Sequence, residues 1–177
     1  MHFTVIRAAQ APDLARAMYE GQRAALGPYG IDHLAKPGTQ PDAYLVAAEL
    51  EPGKPIGGLR LQQRLPNRRL PLEGSITVSP AVERKLARFE RQGIVELGAM
   101  WVAEPEAEPH LPDRLVYLGL EVAAAAGMRH VVALGGQHSI PLALRTGFRL
   151  CGGEPVFAFP DARYRSRLVW FRPPQRF

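Results

Sequence analysis

Glu96 stands alone among apolar neighbours in the run Ile94–Val102, IVELGAMWV. A carboxylate carried into the interior by such a run has its pKa raised toward the range in which it takes a proton, which is the work of a general base. The same residue also reads as a strand-end glutamate paired with a nearby arginine, Arg60 or Arg64. His138 and Ser139 stand together at the mouth of a short helical segment. Imidazole titrates near neutrality, so His138 is a candidate proton donor, whereas Ser139 reads as a helix N-cap. Arg163, Arg165 and Arg167 alternate with Tyr164 and Leu168. On a strand they share one face, which could receive a carboxylate-bearing acceptor, an acidic carrier or solvent. Cys151, beside Gly152-Gly153, could be a nucleophile with His130 or His138 as its base, but reads as a small packed residue. The five histidines show no metal-ligand spacing, so no metal site is expected. Gly135-Gly136 lacks the G-x-G-x-x-G fingerprint, although glycines between a strand and a helix let a ligand approach the backbone.

These residues must be positioned by the elements around them. His2–Arg7 alternates as a strand with one exposed face, and Pro12-Asp13 opens a helix whose apolar stripe is Leu14, Met18, Ala25 and Leu26, stopping near Gly27-Pro28. Residues 29–41 read as a loop or short irregular helix. Residues 42–50 (DAYLVAAEL) and 56–65 (IGGLRLQQRL) flank a Pro-Gly turn and form a hairpin. Residues 66–93 form an insertion containing the charged helix VERKLARFERQ, in which Val82, Leu86 and Phe89 share a face. The run 94–102 is a central strand, and 103–112 is an acidic, proline-rich loop. A helix over 113–126 ends at Gly127. A buried strand over 130–134 is broken by Gly135-Gly136. A short helix reaches Thr146, a strand follows Gly147-Phe148, and the tail holds extended runs near 156–159 and 164–171. Trp101, Tyr117, Phe157, Phe159 and Trp170 are assigned to core or pocket walls. The alternation after the hairpin predicts an α/β fold with a mixed sheet and helices on its faces, in a single domain over 1–177.

Composition limits the function classes. The chain has 177 residues, 46% of them hydrophobic, which suits one globular domain with a core that needs no disulfide. One cysteine points to a reducing compartment, and neither a signal-peptide centre nor an apolar run of about 20 residues is present, so a cytoplasmic protein with no membrane partner is expected. Twenty-two Lys and Arg against 17 Asp and Glu give a formal charge of +5, carried almost wholly by arginine. Arginine's planar fork suits carboxylates and phosphates, though a GC-rich genome yields the same bias. A scattered +5 does not predict a nucleic-acid partner.

The order DAYLVAAEL, Pro-Gly turn, KPIGGLRL, then ELGAMWV, an alanine-rich helix and TGF resembles the GCN5-related N-acetyltransferase (GNAT) superfamily over nearly the whole chain. The long segment GGLRLQQRLPNRRLPLE before VELGAMWV is similar to the branch of acyl-homoserine-lactone synthases and N-acyl amino acid synthases. The resemblance implies a mostly antiparallel sheet with two splayed parallel strands, here 96–102 and 130–134, whose freed backbone groups hold a pantetheine thioester. It implies attack by the primary amine of a small, amino-acid-like acceptor, with Glu96 as base and a backbone N–H near Met100, Trp101 or Val102 stabilising the oxyanion. Leu134, Gly135 and Arg114 complete the implied donor contacts, and Arg60 and Arg165 the acceptor contacts.

Two departures matter. Members typically wrap the coenzyme A pyrophosphate with a glycine-rich loop at a helix N-terminus. Here that stretch is AEPEAEPHLPDRLVYLG, with Glu104, Glu106 and Glu108 and three prolines that donate no N–H. The donor could be an acyl carrier protein instead of acyl-CoA. The acids could point away while Arg114 and the helix N-terminus hold phosphate. Catalysis could also be lost and the fold kept as a binding module. The second departure is Ala143, where many members carry a tyrosine that protonates the leaving thiolate; His138 is the candidate substitute.

Overall fold

The computed structural model describes residues 1–31, 42–103 and 108–173. Seven strands form one mixed sheet in the order β1-β2-β3-β4-β5-β7-β6. The residues pack as two compact units, Met1–Gln62 with Leu97–Gly119 and Gln63–Glu96 with Leu120–Phe177.

In the first unit β1 (His2–Arg7), β2 (Tyr44–Glu51) and β3 (Lys54–Gln63) form an antiparallel meander. The Glu49 carboxylate accepts the Gly53 N–H at 2.5 Å and so pins the hairpin turn. Helix α1 (Pro12–Leu26) begins with proline at its first position, where the missing N–H costs nothing. It buries Leu14, Ala15, Met18 and Gln22, the first three in a cluster with Ala8, Ala43, Leu45 and Ala47. Ala25 and Leu26, expected in that stripe, are only half-buried because the helix ends there. Helix α4 (Leu111–Ala125) starts two residues earlier than its charge pattern suggested and buries Leu111, Leu115 and Val116 in this unit.

In the second unit the first residues of β4 (Ile94–Val102) pair in parallel with β5 (His130–Gly136), which pairs antiparallel with β7 (Ser166–Phe171), and β7 with β6 (Arg149–Leu150). The segment 66–93 folds into α2 (Pro71–Ser75) and α3 (Pro80–Glu90). Ser79 caps α3 by accepting the Val82 N–H, and its hydroxyl donates to Glu154 at 2.7 Å. Leu70, Leu72, Val82 and Leu86 then cover Ile94, Val132 and Leu168. Each such leucine contributes roughly 2 kcal/mol by leaving water. Gly127 closes α4 with φ +76, a conformation that costs a residue without Cβ nothing.

Three local expectations change. Gly135-Gly136 does not end its strand: both residues lie in β5, opposite Arg167 and Ser166. The 156–159 run is not a strand; Phe157 makes one isolated bridge to Ser166. Arg163 precedes β7 and is clamped by Asp161, so the three arginines do not form a strand face. Among the described residues no helix is long and apolar enough to cross a membrane.

His130 opens β5 at 3% exposure, stacked on Phe89 with ring centroids 3.7 Å apart and paired through Nε2 to Gln92 Oε1 at 2.9 Å. Burial first, then Arg172, Lys85 and Arg129, pushes its pKa down to about 4. The folded value lies below the unfolded one near 6.5, so the unfolded chain takes up the proton first as pH falls. Stability is therefore full above about pH 6.5 and declines through the folded value near 4. In urea unfolding, His130→Phe is expected to lose less stability than the parent between pH 7 and pH 4.5. Equal losses would show that His130 is not responsible.

Candidate functional site

Ile94, Val95, Glu96 and Leu97 are all buried, as in a strand covered on both faces. Glu96 is thereby carried inside at 7% exposure. Its Oε2 accepts the N–H of Leu72 at 2.8 Å. Leu72 is the second residue of α2, so its N–H is one of those a helix's first turn leaves without an internal partner.

What holds α2 in place is ionic. Glu73, its side chain 1% exposed, accepts the Leu70 N–H at 2.8 Å and takes Arg64 on both oxygens, Nε at 2.9 Å and Nη2 at 3.2 Å. Arg64 also pairs with Glu90 at the end of α3. Its guanidinium is held above its ordinary pKa, the Glu73 hydrogen bond being the largest cause. Arg64, one of the two arginines considered as a partner for Glu96, is thus committed to other carboxylates. Glu73 and Glu90 were missed in the sequence, although Pro71 and Glu73 carry the signature of a first helical turn.

Parallel pairing of β4 with β5 runs through Ile94↔His130, Val95↔Val131 and Glu96↔Val132. Three residues past Glu96, Ala99 has φ +55, a left-handed conformation that a residue with a Cβ avoids, and we read it as a bulge in β4. The irregularity turns the backbone of the following residues, and strain of this kind gathers at functional sites. Met100 and Val102 are half-buried. Trp101 is 4% exposed, and its indole lies so close to Gly21 of α1 that a Cβ there would collide with the ring. Its side chain is a core wedge, leaving only its backbone for a ligand.

The remaining predicted residues are more dispersed. Arg114 is exposed, donates to Glu108 at 3.1 Å and lies 4.8 Å over the Phe3 ring. An acid of the loop therefore occupies the cation expected to meet phosphate. Glu104 and Glu106 lie outside the described residues. Leu134 packs on the core of the second unit, and Gly135 lies beside Ile140. His138 is exposed next to Gly136, and no hydrogen bond links it to Glu96. Ser139 does not cap α5 (Ile140–Arg145); its hydroxyl donates to the Gly136 carbonyl at 3.0 Å. Arg60 is half-buried on β3, and Arg165 is exposed just before β7. Cys151 packs against the core of the second unit, as expected for a small apolar residue. Among the described residues no group of three His, Cys, Asp or Glu is placed to hold a metal.

No protein-family model and no curated protein sequence matches the chain. Solved structures do. An acyl-CoA N-acyltransferase from Pseudomonas aeruginosa superposes with a TM-score of 0.65 at 14% identity, covering 96% of this chain and 97% of that one. Escherichia coli ElaA gives 0.67 at 10% identity, covering 96% and 97%. The CoA-dependent acyl-homoserine lactone synthase BjaI, solved with SAM and isopentyl-CoA, gives 0.62 at 16% identity, covering 95% and 81%. The chain has the fold of the GNAT acyltransferases: a mixed, mostly antiparallel sheet with one parallel pair, flanked by helices.

Proposed function

We propose that this protein is an N-acyltransferase that moves an acyl group from a coenzyme A thioester to the primary amine of a small, amino-acid-like acceptor. The observation that carries the reading is Glu96: a buried carboxylate in the central strand, fixed by the Leu72 N–H at 2.8 Å, where parallel pairing with β5 stops and three residues before the bulge at Ala99. Glu96 takes a proton from the attacking ammonium, and the free amine adds to the thioester carbonyl. Backbone N–H groups turned by the bulge, in Met100–Val102, donate to the oxyanion. The tetrahedral intermediate collapses with loss of thiolate, and the proton that the new amide nitrogen sheds passes to that thiolate or to solvent, so little acid help from the protein is needed and Ala143 in place of a tyrosine is tolerable; His138 is the candidate replacement named from the sequence. Arg165, in the same unit as Glu96, is proposed to meet the acceptor's carboxylate.

The likeness to a CoA-dependent synthase favours acyl-CoA as donor. The pairing of Arg114 with Glu108 favours a donor that makes little demand on phosphate contacts, such as an acyl carrier protein. Free thiol is measured with acetyl-CoA, a long-chain acyl-CoA or an acyl carrier protein, each with and without a panel of amino acids. Amine-dependent thiol release from one donor is the expected result. Donor binding without release under every pairing would replace the enzyme reading with that of a binding module.

A further inference from the structure

A second site is suggested by a groove of about 860 Å³ within the second unit, built from α3, β6 and the outer ends of β5 and β7. It shares no residue with Glu96, Leu72 or the bulge. Its volume falls within the roughly 300–1,000 Å³ of small-molecule sites. Phe89, His130, Trp170 and Phe171 line it, and Lys85, Arg88, Arg149 and Arg172 bring four exposed cations to it. Lys85 and Arg88 lie three apart on α3 and so share a face. Lys85 Nζ sits 4.7 Å over the Trp170 ring.

The hydrogen-bonding character of the groove is one-sided. No carboxylate lines it. Gln92 contributes its amide N–H groups, and its carbonyl oxygen is already paired with His130 Nε2 at 2.9 Å. Every other polar side chain apart from Cys151 is an obligate donor or the imidazole of His130. Among the described residues none of the four cations of the groove has a carboxylate partner. Concentrated positive charge without acids disfavours the empty state through self-repulsion, and an acceptor-rich anion relieves it. Partly exposed aromatic rings beside the cations supply a flat apolar wall, which free phosphate or sulfate would leave unused.

We propose that this groove binds a nucleoside phosphate, with the base against Trp170 and Phe171 and the phosphates on Arg88, Arg149 and Arg172. Lys85, which lies over Trp170 without ligand, swings to the phosphates and neutralises the remaining charge. The ligand touches none of the proposed acyl-transfer residues, so the inference stands apart from the acyltransferase reading.

Isothermal titration of the full chain with GDP, inorganic pyrophosphate and guanosine tests it. GDP is expected to bind one to one, with pyrophosphate and guanosine each about tenfold weaker or more, because each keeps only half of the contacts. The double variant Arg149→Ser/Arg172→Ser, at exposed positions, is expected to keep the parent's melting temperature and weaken GDP by about tenfold. Binding should persist under saturating coenzyme A and weaken with salt. Absence of saturable GDP binding, equal affinity for pyrophosphate, displacement of GDP by coenzyme A, or an unchanged affinity in the double variant would each overturn the proposal.

Discussion

Glu96→Gln is expected to lower amine-dependent thiol release by about 10²–10⁴-fold, the usual cost of losing a positioned general base. The substitution is close to isosteric: an amide oxygen can still accept the Leu72 N–H that lies 2.8 Å from the carboxylate, so the short helix behind it keeps its anchor. What disappears is the capacity to hold a proton. The loss should therefore fall on the single-turnover rate and not on donor affinity, and the limb that the carboxylate sets in the parent's pH profile should vanish, leaving a rate that keeps rising toward the amine's own pKa, because the remaining activity draws only on amine already deprotonated in solution. Glu96→Asp separates placement from chemistry, since it keeps the carboxylate but withdraws it by one methylene. An intermediate rate with a retained pH limb is expected. If Glu96→Gln kept the full single-turnover rate across pH, the proton would be leaving by another route, and the acid-base role of Glu96 would be wrong.

Those parts of the fold whose signals are local were legible in the residues. His2–Arg7, the Pro-Gly hairpin and the apolar run 94–102 each declare themselves within about ten residues, because a strand's period and its burial are written in adjacent positions. The elements misread are those decided by distant partners. Gly135-Gly136 has the local character of a breaker, but six register pairs with β7 hold it extended. Helix α2 spans five residues of a proline-punctuated stretch, too short for any periodicity; it exists because Leu70 and Leu72 are buried and because Glu73 finds Arg64. Trp101 reads equally as core or pocket wall, and only the missing side chain at Gly21, eighty positions earlier, decides for the core. At the site the position of Glu96 could be read and its support could not. An arginine-rich chain offers many partners, and sequence does not say which carboxylate each one meets.

That support sets the second large expectation. Arg64→Ala removes a guanidinium that is 10% exposed and leaves the Glu73 carboxylate, 1% exposed, with only the Leu70 N–H. Stranding one member of a buried ion pair costs about 3–5 kcal/mol, a large share of the roughly 5–15 kcal/mol that holds a typical domain together. Urea unfolding should show the loss directly. The double variant Arg64→Met/Glu73→Gln should recover more than half of it, because it removes the two most buried charges, leaves only the more exposed Glu90 without its arginine, and lets the amide keep the Leu70 N–H. Activity should follow a different pattern. The Leu72 N–H reaches Glu96 only while α2 is seated, so Arg64→Ala is expected to lower kcat more than it raises KM and to shift the pH limb assigned to Glu96. In the double variant stability returns together with the seat of α2, and the pH limb should move back toward the parent's. A loss below about 1 kcal/mol in Arg64→Ala would place the pair in the class of solvated surface bridges. An unshifted pH limb, with the predicted loss of stability intact, would mean that Arg64 supports the fold without setting the chemistry of Glu96.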